Sequence, residues 1–313
     1  MKVKFYEKPI LRNPIMVAGW PGIGHVAIDA VKYLLKKLDA KLFAEIEPLN
    51  FFTYEGVAVR GGIARLPRLP ASKFYYSKSH IANDLIIFVG EAQPHDKGSK
   101  ELANILLDVA EEFGVRRIYT AAAFPTSMDH KEEPKVWAVT NDESLLNLLI
   151  NYNVRLLKQG SIAGLNGLLL GFAKQRKIRG ICLLGEIPVY TMNIENPKSA
   201  KVVLGVLTEM LGIEIDMYEL ETLTKNTEDY IEKELEHLYE QMKGTDKFKP
   251  EVTTETEPGR VPFFVKQRIE RLFLEANKDK TRATELKREL DRWDLFEEYE
   301  DRFLDLFKKG DKG

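Results

Sequence analysis

Two carboxylates stand where chemistry is done in α/β proteins, just past an apolar run and a glycine. They are Glu91 in Gly90-Glu91-Ala92-Gln93-Pro94 and Glu186 in Gly185-Glu186-Ile187-Pro188. If both runs are parallel strands ending on one sheet edge, Glu91 and Glu186 face a shared crevice and could act as general acid and base of a hydrolase or phosphorylase. The plainer account is two rim charges. A second candidate is Trp20-Pro21-Gly22-Ile23-Gly24-His25-Val26-Ala27, which follows the apolar run Ile15–Gly19. Gly22-x-Gly24-x-x-Ala27, with Glu45 about twenty residues on, fits the dinucleotide-binding pattern, and a helix starting there would turn free N–H groups toward an anion. Trp20-Pro21 stands before the first of these glycines and alters the tight turn, so a structural strand–turn–helix is the rival reading. A third stretch, Gly160-Ser161-Ile162-Ala163-Gly164-Leu165-Asn166-Gly167 and on to Gly171, puts glycines four, three and four apart. On a helix they share one face, which permits close backbone approach by a neighbouring element, a subunit or a ligand.

Other chemistries lack their residues. There is no Gly-Lys-Ser or Gly-Lys-Thr of a P-loop, no Gly-x-Ser-x-Gly elbow and no His-Glu-x-x-His pair. The five histidines are scattered, and His95-Asp96 after the Glu91 turn has no second histidine at ligand spacing. The one cysteine, Cys182, sits in an apolar run and has no histidine to activate it. We therefore expect no metal, no catalytic nucleophile and no resident cofactor. The tentative ligand-binding set is Trp20, Pro21, Gly22, Gly24, Glu91, Gln93, Asn166 and Glu186.

The elements that must position these residues alternate. Strand-like runs are 15–19, 41–47, 56–64, 74–79, 85–90, 117–122, 135–139, 154–157 and 180–184. Helical periods cover 26–38, 99–113, 143–151, 165–176 and 198–211. Leu85-Ile86-Ile87-Phe88-Val89 is continuously apolar, as in a strand covered by helices on both faces. The pattern predicts a three-layer α/β/α domain with a mixed, mostly parallel sheet over residues 1–215. Residues 51–79 are strand-rich without a helix and turn at Gly61-Gly62 and Pro67, which predicts an antiparallel insertion. Beyond 215 the composition changes to a helical C-terminal extension, 216–313. It has a charged helix at 227–243, a linker near 249–262 and helices at 263–277 and 284–309. Trp293, Phe296, Phe303 and Phe307 fall on one side of the last helix and are candidates for protein contacts.

Composition bounds the rest. Of 313 residues, 44% are hydrophobic and 30% charged, and the net charge is −2. That describes a globular chain with no electrostatic footprint for nucleic acid or an acidic membrane. The first residues lack a signal-peptide core and the longest apolar run is too short to span a bilayer, so we expect a cytoplasmic protein. Abundant Lys, Glu and Arg beside five Gln are the balance of a thermophile.

Taken in order, Gly19–Gly24, Gly90–Pro94, Gly160–Gly167, Leu183–Pro188 and Asn196-Pro197-Lys198-Ser199-Ala200 resemble the proteasome assembly chaperone family, second-subunit type, in its archaeal and bacterial branch. The resemblance covers roughly residues 10–215. It implies a phosphorylase/hydrolase-like α/β/α topology, homo-oligomers, and an adaptor or chaperone binding proteasome subunits or a paralogue. Members have also carried an ATP-grasp label, so a nucleotide-dependent enzyme using the Gly22–Gly24 turn is the alternative. No ATP-grasp set of metal-binding carboxylates and phosphate-binding lysines can be assembled from these residues. Family members that dock on the proteasome α-ring are expected to end in a hydrophobic residue, Tyr and any residue. The sequence departs from this in Phe307-Lys308-Lys309-Gly310-Asp311-Lys312-Gly313, so docking is expected through the domain surface or the helical extension.

Overall fold

Leu85–Gly90 is apolar because it has no solvent face. Along the strand Ile15–Gly19, Ile15 and Val17 enter one hydrophobic core while Met16 and Ala18 enter another on the opposite side. Such two-sided burial requires helices above and below the sheet. A computed structural model of the chain describes residues 2–48, 51–54, 56–79, 83–243, 269, 272–273, 275–277, 279–292 and 295–308. The chain divides into two compact units, residues 1–236 and 237–313. The compositional change expected at 215 therefore precedes the unit boundary, because Leu220, Thr224 and Ile231 are buried in the first unit.

The first unit is a nine-stranded sheet between helices. Its strands are β1 (Val3–Phe5), β2 (Ile15–Gly19), β3 (Lys41–Ile46), β6 (Ser72–Ser77), β7 (Leu85–Gly90), β8 (Arg117–Thr126), β9 (Val136–Thr140), β10 (Val154–Leu156) and β11 (Arg179–Pro188). They lie in the order β1-β3-β6-β7-β2-β8-β11-β9-β10. The centre, β7-β2-β8-β11, is parallel. The β1-β3, β3-β6, β6-β7 and β11-β9 pairings are antiparallel, and β9-β10 is parallel again. The sheet is thus mixed, and the helix-free segment supplies much of the antiparallel part. Helices α1 (Val26–Lys37) and α5 (Pro197–Leu211) cover one face, and α2 (Asp96–Glu112) and α4 (Leu165–Gln175) the other. A short α3 (Leu146–Leu149) joins the first layer through Leu145 and Leu149.

Two strands stand apart. β4 (Ala58–Arg60) and β5 (Ile63–Arg65) form a separate hairpin. Its turn, Gly61-Gly62, has φ of 58° and 78°, the positive pair that a tight hairpin of matching twist needs. The last helix of the first layer, α6 (Tyr218–Lys243), begins earlier than its periodicity implies. Ion pairs from Lys36 to Glu219 (2.5 Å), Lys198 to Glu228 (2.7 Å) and Lys131 to Glu232 hold it to the domain.

In the second unit the single helix expected at 284–309 is two, α7 (Ala283–Arg292) and α8 (Phe296–Lys308). Its core is Ile269, Leu272, Phe273, Leu286, Leu290, Leu295, Phe303 and Leu306. Trp293 and the linker at 249–262 lie outside the described residues. Among those described, no helix is long and apolar enough to cross a membrane.

Candidate functional site

Parallel strands β2, β7, β8 and β11 all end at one edge, where open α/β sheets hold ligands. β2 delivers Trp20 there, and the indole is fully buried. Its ring lies 4.9 Å from that of Phe88 on the neighbouring strand and close against Gly90. A Cβ at residue 90 would come within 2.2 Å of the ring, so the glycine ending β7 is the seat for the tryptophan. The indole Nε1 is buried there without a hydrogen-bond partner among the described residues, a cost the aromatic burial must exceed.

Asn166 and Gln93 tie this seat to α4 on the same face of the sheet. The Trp20 N–H donates to Asn166 Oδ1 and Asn166 Nδ2 donates to the Trp20 carbonyl, both at 3.1 Å. Thr120 on β8 donates its hydroxyl to the Asn166 carbonyl at 2.7 Å. Gln93 Nε2 donates to the Pro21 carbonyl at 2.8 Å, while its Oε1 accepts from the Leu165 N–H at 3.1 Å. That last bond caps the first turn of α4 with a side chain from another loop, meeting a helix-end donor. Trp20, Pro21, Gln93 and Asn166 are therefore brought together, with Gly22 alongside, and apart from the indole Nε1 the polar groups named bond to one another, to Leu165 or to Thr120.

The glycine turn is likewise occupied by the chain itself. The Gly24 N–H donates to the Met192 carbonyl at 3.0 Å, and the Asn196 N–H donates to the Gly24 carbonyl at 2.9 Å. Gly24 and His25 both have positive φ, 60° and 53°, and a Cβ at residue 24 would meet Asn196 Nδ2 at 2.8 Å. Asn196 is buried and bonded to Thr191 and Ile194. A phosphate cradle needs such N–H groups unspent. Here the loop after β11 takes up the Gly24 N–H, and its residues Met192 to Glu195 line an open cavity together with Gly22 to His25.

The two carboxylates are not a pair. β2 and β8 lie between their strands, which puts Glu91 and Glu186 about 14 Å apart at the usual strand spacing. Glu91 accepts from the Ala71 N–H at 2.8 Å and pairs with Arg68. Partial burial pushes its carboxyl up, but Arg68 and that N–H outweigh it and hold it below the usual range. Glu186 lies within β11, which runs on to Pro188 rather than stopping at Leu184. It is buried, and accepts from the Lys135 N–H at 3.0 Å and from Trp137 Nε1 at 2.8 Å. Each carboxylate pins a strand end to its neighbour.

Other sequence features resolve similarly. α4 starts at Leu165, so Gly160 and Gly164 precede it and the four glycines share no helical face. Gly167 packs on the chain's own Ile162, and nothing lies within 4 Å of a Cβ at Gly171. Cys182 is buried and its thiol is pushed up to about 12 by burial, the reverse of an activated nucleophile. Among the described residues no three His, Cys, Asp or Glu side chains are grouped to hold a metal. Phe303, expected on a contact surface, is buried in the second unit, and Phe296 is half-buried with it. Phe307 is 53% exposed.

Sequence reasoning missed Thr120, Thr191 and the Met192 carbonyl, because none stands in a motif. It also passed over the outward faces of the β4–β5 hairpin and α6, where the signal was β-branched residues around Gly61-Gly62 and a leucine and tyrosine seven apart.

Comparison with known proteins places this geometry. The uncharacterized protein MJ1210 of Methanocaldococcus jannaschii is 32% identical over 251 residues, covering 80% of this chain and 92% of that one. Pyrococcus furiosus PbaB, described as an archaeal proteasome activator, is 35% identical with a TM-score of 0.65, covering 74% of this chain and 97% of that one. Pyrococcus furiosus PbaA, described as an archaeal homolog of proteasome-assembly chaperone, is 25% identical with a TM-score of 0.58, covering 78% of this chain and all of that one. The sequence model of the PAC2 family matches residues 16–235, the segment that carries the Trp20 seat, both pinned carboxylates and most of α6, and the chain belongs to the PAC2 family.

Proposed function

We propose that this protein acts by binding other polypeptides, as a cytoplasmic, homo-oligomeric adaptor or chaperone whose partners are proteasome subunits or a second PAC2-family protein. The observation that carries this reading is the 35% identity to PbaB over nearly all of that chain. The strand-end edge supports it from the chemical side. Gly24, Gln93, Asn166, Glu91 and Glu186 are engaged with their own chain, which leaves polypeptide surface rather than a reaction centre. Phe307 and the exposed Leu304 beside it give the second unit an apolar spot for such contact.

Native mass spectrometry of the purified chain mixed with proteasome α subunits from the same cell tests this directly. A complex of defined stoichiometry is expected. Separate masses with α subunits, and with each PAC2-family paralogue, overturn the reading. A thermal shift with NAD, ATP or AMP tests the nucleotide alternative. Tight binding adds several kcal/mol at saturating ligand, and we expect no change in melting.

A further inference from the structure

The strand-entry edge of the sheet, at the far end from the Trp20 seat, concentrates positive charge. β8 and β11 enter the sheet there, led in from the C-terminal ends of α2 and α4. The leading segments, residues 114–117 and 174–179, hold six Lys or Arg and no acid, in a chain whose net charge is −2. Parallel register sets Arg117 beside Arg179, roughly 5 Å apart at the usual strand spacing. Like charges side by side on neighbouring strands cost stability unless something negative lies against them.

A cavity of about 480 Å³ opens at this edge. Arg116, Arg176, Lys177 and Arg179 line it, and Glu111 and Asp142 are its acids. Both acids are engaged within the chain. Glu111 pairs with Arg176 at 3.2 Å, and Arg176 pairs with Asp108 as well. Asp142 accepts from the Ser144 N–H at 2.9 Å, and the Ser144 bonds, with a smaller pull from Arg179 and Lys174, hold its carboxyl below the usual range. Arg116, Lys177 and Arg179 form no ion pair among the described residues. Helix C-termini attract cations, but both ends are already closed by their own chain. The Val115 N–H donates to the Ala110 carbonyl at 2.8 Å and the Ile178 N–H to the Ala173 carbonyl at 2.9 Å. Lys177 takes the left-handed position that Gly114 takes after α2, with φ of 58° against 75°, a place glycine usually fills.

The kind of anion follows from the helices. A compact phosphate is held by free N–H groups at a helix N-terminus, whereas here two helices present their negative ends. Cations on long side chains around an open cavity suit separate carboxylates, each meeting one guanidinium or ammonium group. We propose that this cavity receives an acidic segment of the polypeptide partner, its carboxylates lying on Arg116, Lys177 and Arg179. This rests on the reading above that the protein binds other polypeptides.

Fluorescence anisotropy of a labelled oligoglutamate peptide with the full chain tests it. The wild type is expected to bind saturably. R116E/R179E should weaken binding by about tenfold or more, and K177E, at an exposed position, should weaken it severalfold, both with unchanged circular dichroism. R60E/R65E, the same charge change on the exposed β4–β5 hairpin, should leave binding as it is. Pyrophosphate should displace the peptide no better than chloride of equal ionic strength. Absent saturation, equal losses in R116E/R179E and R60E/R65E, or displacement specific to pyrophosphate overturns the site. A wild-type oligomer that light scattering shows falling apart in R116E/R179E gives the cavity to a second copy and overturns the partner's segment. Native mass spectrometry separates this site from the wider reading. A complex with α subunits that R116E/R179E forms as readily as the wild type overturns the site alone, and separate masses with the wild type overturn both.

Discussion

The seat of Trp20 and the ribbon at Gly61-Gly62 differ in how completely their groups are matched. At the seat, five residues from two loops and the start of α4 are hydrogen-bonded to one another on one face of the sheet. On the ribbon, β-branched side chains and two arginines are exposed, and Arg60 and Arg65 form no ion pair among the described residues. The first arrangement looks catalytic in sequence because Trp, Gln, Asn and Gly at strand ends are what a ligand site uses. Its hydrogen bonds show a clamp that fixes the edge of the sheet. The second has no motif, yet it is the surface with interaction energy still to gain.

Substitutions should separate the two regions. Trp20→Ala empties a fully buried site and is expected to cost about 4 kcal/mol in denaturant unfolding; a loss below about 1 kcal/mol would mean that the seat does not hold the edge. Asn166→Ala orphans the N–H and carbonyl of Trp20, and we expect a loss of about 2–3 kcal/mol by the same measurement.

A smaller effect comes from Asp29 on α1. Burial, with the charge of Glu195 nearby, pushes it up from 3.8 to about 6. The folded chain then binds a proton that the unfolded chain has released, so the stability present below pH 4 is lost as pH rises through 6. Asp29→Asn should melt above the wild type at pH 7, and the advantage should vanish near pH 4; a constant difference across that range would remove Asp29 as the titrating group. The least effect on stability belongs to the ribbon. R60E/R65E should leave the unfolding free energy, measured by dilution at a concentration where the chain is monomeric, within about 0.5 kcal/mol, as for surface positions generally, and a larger loss there would mean that the ribbon packs within its own chain.

How far the sequence could be read follows from the range of the forces involved. β2, β7 and α1 were legible to within a residue or two because continuous apolar runs and a 3.6-residue period are local consequences of burial. β1, three residues of mixed polarity, was not, since only pairing with β3 makes it a strand. The apolar period over 284–309 predicts one helix where the structure has two, Ala283–Arg292 and Phe296–Lys308, because such a period can continue from one helix into the next. Trp20, Gln93 and Asn166 were all singled out, but as ligand groups, because a side chain's type is visible in sequence and its partner is not.

Composition and periodicity alone therefore determined a three-layer α/β/α domain with a helical extension, and the order of glycine-flanked motifs marked its family. Tertiary structure decided what those motifs do. Trp20 and Asn166 are 146 residues apart, and Glu91 and Glu186 are kept apart by two intervening strands. Hydrogen bonding and Coulomb attraction act over a few ångströms of space, whatever the separation along the chain, so only the folded sheet could show which polar groups are already spent and which faces still lack a partner.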